Sequence, residues 1–196
     1  MNNPLNYTIT ELNKLKPKKG RLLIAEPFMD DPYFKRSVVL LTEHNKDGSF
    51  GFMLNKPLEI KINDAMQNFP PFEAPIFMGG PVQSDSLFYI HTQGEIIEGS
   101  MKISNNLYWS GNFDQLKQLI QDQQIFPNEI KFFIGYSGWD YIQLMDEIED
   151  ESWIISNLKS SNINELNNVD LWKNTLQKMG SKFSLLSNFP EDPSLN

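Results

Sequence analysis

Apolar positions fall in short runs separated by turn-forming residues, and the densest runs lie between residues 20 and 57. Residues 22–25 make one run and residues 35–43 a second, within which Val38, Val39, Leu40 and Leu41 are consecutive. Four successive apolar residues in a β-favouring stretch predict a strand covered on both faces, and therefore a central one. Asn45-Lys46-Asp47-Gly48 carries turn chemistry, with Gly48 suited to a left-handed backbone position, so the second run is predicted to fold back onto a third, residues 49–55. Glu26, Asp30, Asp31, Glu43, His44, Asn55 and Lys56 frame these strands at their ends and turns.

Around this hairpin the pattern is mixed. Ile9, Leu12 and Leu15 predict an amphipathic helix over residues 8–16, capped by Thr8 or Thr10 and stopped by Pro17. Residues 26–32 read as a loop held away from helix by Pro27 and Pro32. Ile62, Ala65, Met66 and Phe69 predict a short helix ended by Pro70-Pro71, and residues 75–78 a brief strand running into Gly79-Gly80-Pro81, a backbone that turns sharply or is closely approached. Residues 86–91 alternate, with Leu87, Tyr89 and His91 on one face and Phe88 and Ile90 on the other; residues 101–103 and 107–110 form a hairpin around Asn105-Asn106. Phe113, Leu116, Leu119 and Ile120 make a helical stripe behind an Asn112 cap, and residues 129–136 a strand. Ser137-Gly138-Trp139-Asp140 then opens a helix carrying Leu144, Met145 and Ile148, with Ser137 as its cap at capping-box spacing from Asp140. A last helix over residues 169–179 ends at Gly180. The expected fold class is α+β with a mixed, largely antiparallel sheet flanked by helices. It divides into a helix and linker (1–19), one domain (20–187) and a flexible tail (188–196).

Composition narrows the partners. A chain of 196 residues supports one substantial core, and its net charge of −8 disfavours nonspecific nucleic-acid binding. The densest basic stretch, Lys14, Lys16, Lys18, Lys19 and Arg21, reads as a solvated linker. There is no cysteine, so disulfides, thiolate catalysis and Cys-ligated metals are excluded. With no basic leader before an apolar run and no stretch of membrane-spanning length, a cytoplasmic location is expected.

Candidate chemistry is sparse. Ser137 stands between a strand and a helix in Gly135-Tyr136-Ser137-Gly138-Trp139, but Trp139 replaces the last glycine of a nucleophile elbow, and both histidines, His44 and His91, precede the serine. Glu26, Glu43, His44, Asp85, His91 and the Asp30-Asp31 pair lack metal-ligand spacing, so no metal is expected. Neither glycine turn matches a Walker or dinucleotide pattern, and Asp140 would repel a phosphate there, so no cofactor is expected. Asp146, Glu147, Glu149, Asp150 and Glu151 read as a solvated helix face. Phe28, Tyr33, Tyr136, Trp139 and Trp153 sit at loops or helix starts, where aromatic residues seal a core edge or form a patch.

Three ordered stretches carry a resemblance. Asp31-Pro32-Tyr33-Phe34-Lys35-Arg36-Ser37-Val38 running to Glu43-His44 and on to Asn55-Lys56-Pro57 is the first. Phe77-Met78-Gly79-Gly80-Pro81-Val82 with Asp85, Leu87, Phe88 and His91 is the second, and Gly135-Tyr136-Ser137-Gly138-Trp139 with Gln143-Leu144, Glu147 and Trp153 the third. Together they resemble the AlgH/YqgE family. The resemblance implies a one-domain bacterial cytoplasmic protein whose bent sheet wraps toward a pseudo-barrel. It supplies no catalytic residues, and the transcriptional-regulator label that some members carry fits poorly with the acidic charge and the lack of a helix-turn-helix pattern. Ser49, Ile142 and Met145 depart from the residues common in the family.

The expectation is therefore a non-enzymatic binding or regulatory protein. Its candidate surface comprises Glu26, Asp31, Phe34, His44, Asn55, Gly79, Gly80, Pro81, Asp85, His91, Tyr136, Ser137 and Trp139, meeting a protein or small ligand and no membrane. The alternatives are an enzyme using Glu26, His44, Asp85 and His91 as acid and base, which requires these groups to converge, and a DNA-binding regulator, which requires a basic face.

Overall fold

The long apolar run of residues 38–41 is accommodated inside a sheet, in the computed structural model, which describes residues 8–190. In chain order the elements are α1 (Ile9–Leu12), β1 (Arg21–Ala25), β2 (Val38–Asn45), β3 (Gly48–Met53), β4 (Pro57–Lys61), α2 (Ile62–Ala65), β5 (Pro75–Met78) and β6 (Val82–His91). They continue with β7 (Met101–Ser104), β8 (Leu107–Trp109), α3 (Phe113–Gln121), β9 (Ile130–Trp139), α4 (Tyr141–Glu149), β10 (Trp153–Asn157), α5 (Ile163–Leu166), α6 (Leu171–Lys178) and α7 (Ser181–Leu186). The strands form one sheet in the order β10-β1-β2-β3-β9-β6-β8-β7, with β4 and β5 branching from β9. The β5–β9 ladder is parallel and the others are antiparallel.

The branch point is β9. Its first half pairs with β5 on one edge and β6 on the other, while Ser137, Gly138 and Trp139 pair with Gly51, Phe50 and Ser49 of β3. Changing partners within one strand forces backbones together. Gly79 donates its N–H to the Ile134 carbonyl at 2.8 Å and accepts from Met53 N–H at 2.9 Å. A Cβ at Gly79 would lie 2.2 Å from the Gly135 carbonyl oxygen, and one at Gly80 2.2 Å from that of Tyr136. The close approach expected of this glycine pair is present, and its cause is the branching of the sheet.

Alternation then sorts the core onto two faces. Leu22, Ile24, Val38, Leu40 and Phe52 pack with Trp172 and Leu176 of the carboxyl-terminal helices. Leu23, Val39, Leu41 and Met53 point the other way, onto Leu144, Trp139 and Trp153. A third cluster joins Ile76, Tyr89 and Phe132 to Leu116 and Ile120 of α3. The sheet is open but curled: a Cβ at Gly20, just before β1, would sit 3.1 Å from the Ile103 carbonyl of β7, although no ladder joins β7 to β1.

Several elements differ from expectation. The first helix ends at Leu12, because the Asn13 side chain donates to the Ile155 carbonyl at 2.6 Å and accepts from Leu15 N–H at 3.1 Å, pulling the chain into an extended path. Thr8 is its cap. Ser137 caps no helix: β9 continues through it because β3 supplies partners, and Asp140 caps α4 by accepting from Gln143 N–H at 2.8 Å. The helix expected after residue 62 is a single turn, since Asn63 turns the chain by bonding Phe69, Pro70 and Phe72 backbone groups. Strands β4 and β10 and helices α5 and α7 are additional. Of the tail, residues 191–196 lie outside the described residues, while the Phe189 ring packs 5.2 Å from Phe28.

Candidate functional site

Most of the polar residues singled out in the sequence hold backbone in place. Asn55 accepts from Val38 N–H and donates to the Arg36 carbonyl, each at 2.8 Å, clasping the strand on which the core depends. Asp31 accepts from Tyr33 and Phe34 N–H groups, a turn that sets the Phe34 ring 5.6 Å from Trp139 and 5.4 Å from Trp153. Glu26 accepts from Phe28 N–H at 2.8 Å; burial raises its carboxyl pKa and this hydrogen bond opposes the rise. His91 is fully buried, its Nε2–H donating to the Ser110 carbonyl at 2.9 Å while Nδ1 accepts from Gln93 N–H at 3.2 Å. Burial lowers its pKa and favours the neutral ring. Ser137, also fully buried, donates to the Gly79 carbonyl at 2.9 Å, beside the buried Gly79-Gly80 pair. Pro81 and Asp85 are exposed, Asp85 at an irregularity in the β6–β9 register.

The four acid–base candidates do not meet. Ala25 N–H bonds the Ser37 carbonyl, so Glu26 lies at the start of β2, whereas His44 lies seven residues on, roughly 20 Å away at ~3.3 Å per residue. Asp85 and His91 are six residues apart in β6, again roughly 20 Å. His91 pairs with Ile130 and the His44–Ser49 pair borders Trp139, at opposite ends of β9. Joint catalysis by this set is excluded, because general acid–base transfer needs direct or single-water contact. Likewise, the thirteen surface candidates do not form one surface: His91, Ser137 and Asn55 are interior. Among the described residues no three His, Asp or Glu side chains are placed to hold a metal ion.

What does converge is the β2–β3 hairpin with the end of β9. The Ser49↔Trp139 and Phe50↔Gly138 register brings them together around an open groove of about 340 Å³, lined by Glu43, Asn45, Asp47, Gly48, Ser49, Phe50, Tyr136, Gly138 and Trp139. Phe50 and Tyr136 ring centroids are 4.5 Å apart, Trp109 lies 4.9 Å from Phe50, and Phe88 5.6 Å from Tyr136. All four rings are half-buried. At the hairpin, Ser49 Oγ and His44 Nδ1 share a 2.8 Å hydrogen bond, and the imidazole stacks on Tyr141 at 6.0 Å. Desolvation lowers the His44 pKa. A hydroxyl beside an imidazole begins a nucleophilic pair, but no carboxylate bonds this imidazole among the described residues, and the pair acts as a cross-strand clasp.

Trp139 itself is 5% exposed and gives the groove only an edge. Its indole N–H and that of Trp153 both donate to Glu147 Oε2, at 2.8 and 2.7 Å, while Gln143 bonds the other oxygen at 2.9 Å. Glu147 is therefore not part of a solvated face but the anchor of two core tryptophans, and Glu151 is likewise engaged, with Thr10. Sequence reasoning overlooked Phe50, Ser49 and Asp47 as groove residues. The hairpin turn was the available signal, since the strand it turns back must present Phe50 beside its neighbour's aromatic residues.

Residues 22–184 match the model of the AlgH-like family, DUF179. A UPF0301 protein of Cytophaga hutchinsonii is 46% identical over 179 residues, covering 91% of this chain and 98% of its own. One from Bacteroides fragilis is 43% identical over 185 residues, covering 94% of each. Among solved structures, a Corynebacterium diphtheriae protein superposes with a TM-score of 0.77 at 22% identity, covering 92% of this chain and 97% of its own. The AlgH protein of Pseudomonas aeruginosa gives 0.70 at 26% identity, covering 97% and 98%. The open, curled α+β sheet and the three sequence stretches thus share one origin, and the chain belongs to the AlgH-like family.

Proposed function

We propose that this AlgH-like protein works by binding, and that its binding surface is the groove between the β2–β3 hairpin and the end of β9. One observation carries the reading. The titratable residues that catalysis would need are dispersed through the sheet, whereas half-buried aromatic rings and hairpin polar groups converge on a single open groove. Half-buried aromatic residues with a polar rim are the composition of binding hot spots. A DNA-binding role is not favoured, because both charged side chains lining the groove, Glu43 and Asp47, are acidic and would repel phosphate. No helix among the described residues is long and apolar enough to cross a membrane, and the reading needs none.

The test is affinity capture from the native host with the wild type, an Asp47→Arg/Tyr136→Ala variant, and an Asp122→Arg control at the exposed end of α3. A stoichiometric partner retained by the wild type and the control but lost from the groove variant is the expected result. Equal retention by all three would contradict it.

A further inference from the structure

Resting on that groove reading, we propose that the occupant is an arginine-bearing protein segment, its guanidinium laid on the Phe50–Tyr136 aromatic surface between Glu43 and Asp47. Three observations point there. Glu43 and Asp47 are the charged side chains lining the groove; Lys46, in the same turn, is exposed and outside the lining. The floor is aromatic: Phe50 and Tyr136 line it with ring centroids 4.5 Å apart, and Trp109 packs on Phe50 from behind. A planar, weakly hydrated cation stacks on such faces while pairing with carboxylates, which the compact, strongly hydrated lysine ammonium does less well.

The third observation is a hydrogen-bond donor without an acceptor. Three of the four tryptophans donate their indole N–H groups, Trp139 and Trp153 to Glu147 and Trp172 to the Ala25 carbonyl. The Trp109 Nε1 is buried and has no partner among the described residues; the residue stands outside the groove lining, behind Phe50, on which its ring packs. A guanidinium cannot accept from it. A main-chain carbonyl next to an arginine can once the Phe50 ring that covers Trp109 yields to it, and this favours a peptide segment over a free cation. The net charge of −8 further favours encounter with a cationic partner.

The test uses the full chain, ¹⁵N-labelled at tryptophan, and a fluorescein-labelled Gly/Ser nonapeptide carrying three arginines, against the same peptide with citrulline at those positions. Citrulline keeps the shape and removes the charge. Saturable binding that is weakened about tenfold or more by citrulline and by Glu43→Gln/Asp47→Asn is expected, and it should weaken further with salt. The Trp109 indole resonance, identified from Trp109→Phe, should shift while that of Trp172 stays. Equal affinity for both peptides, or a shift of Trp172 alone, overturns the proposal. If the arginine peptide fails to bind while Asp47→Arg/Tyr136→Ala still loses its captured partner, the arginine assignment falls and the groove reading stands. If that variant keeps its partner, both fall.

Discussion

At the residue scale, two ionisable groups, a half-buried carboxylate and a buried amine, carry consequences out of proportion to their number. Glu147 takes two indole N–H groups on one carboxylate oxygen, so Glu147→Ala leaves both donors unpaired in a packed cluster. At ~1–3 kcal/mol for each buried group left unsatisfied, the variant should lose about 2–6 kcal/mol in urea unfolding, and Glu147→Gln much less, because an amide oxygen still accepts. Equal losses for the two variants would contradict this role. Lys131 of β9 is 1% exposed, with Nζ 2.6 Å from Asn167 Oδ1 and over the Phe77 ring, and burial pushes its pKa down to about 6. The folded-state value lies below that of the unfolded chain, so from about pH 6 upward the unfolded state binds the extra proton. Stability should therefore rise with pH across that window, by at most ~1.4 kcal/mol per unit, and this term is constant below it. Lys131→Met should be more stable at pH 7 and lose that slope; an unchanged slope in pH-dependent melting would sink the assignment. Neither role was legible in the sequence, since an acidic run gives no sign which member turns inward, and a lysine between Ile130 and Phe132 reads as an ordinary polar position.

At the scale of elements, the hairpin of β2 and β3 was legible because its cause is local, although its first strand begins at Val38 rather than at residue 35 and shifts register between Leu41 and Glu43. The run at residues 38–41 and the turn ending in Gly48 are adjacent in sequence, and the structure pairs Asn45 with Gly48 as expected. Strand β10 escaped notice for the opposite reason. Its five residues owe their conformation to β1, more than 120 residues earlier, through pairs such as Leu23↔Ile155. The start of α4 was misplaced by two caps of similar chemistry, Ser137 and Asp140; the ladder to β3 decides between them. Asp140→Ala should thus cost about 1 kcal/mol as a lost helix cap. The Gly79-Gly80 crossing makes a stronger demand. A methyl group at Gly79 meets the Gly135 carbonyl at 2.2 Å, so Gly79→Ala must part β5 from β9, with a loss of at least ~2 kcal/mol in thermal or urea unfolding. A Gly79→Ala variant as stable as the wild type would show that the crossing is not tight.

For the whole molecule, the fold class and family were legible while the site was only half so. Tyr136 and Trp139 line the proposed groove and His44 adjoins it through Ser49, whereas Glu26, Asp85 and His91, chosen for their chemistry, are scattered by a branched sheet. Register, which a single sequence does not print, decides which polar residues meet. The same curled sheet leaves the hairpin and the end of β9 open on one side, with an aromatic floor and acidic rim. The most direct measurement of its role is photo-crosslinking in living cells, with benzoylphenylalanine placed at position 46, in the turn beside the groove, or at position 122 of the full chain. The groove account predicts a discrete protein adduct from position 46 and none from position 122. Adducts of equal yield from both positions, or one from position 122 alone, would contradict it.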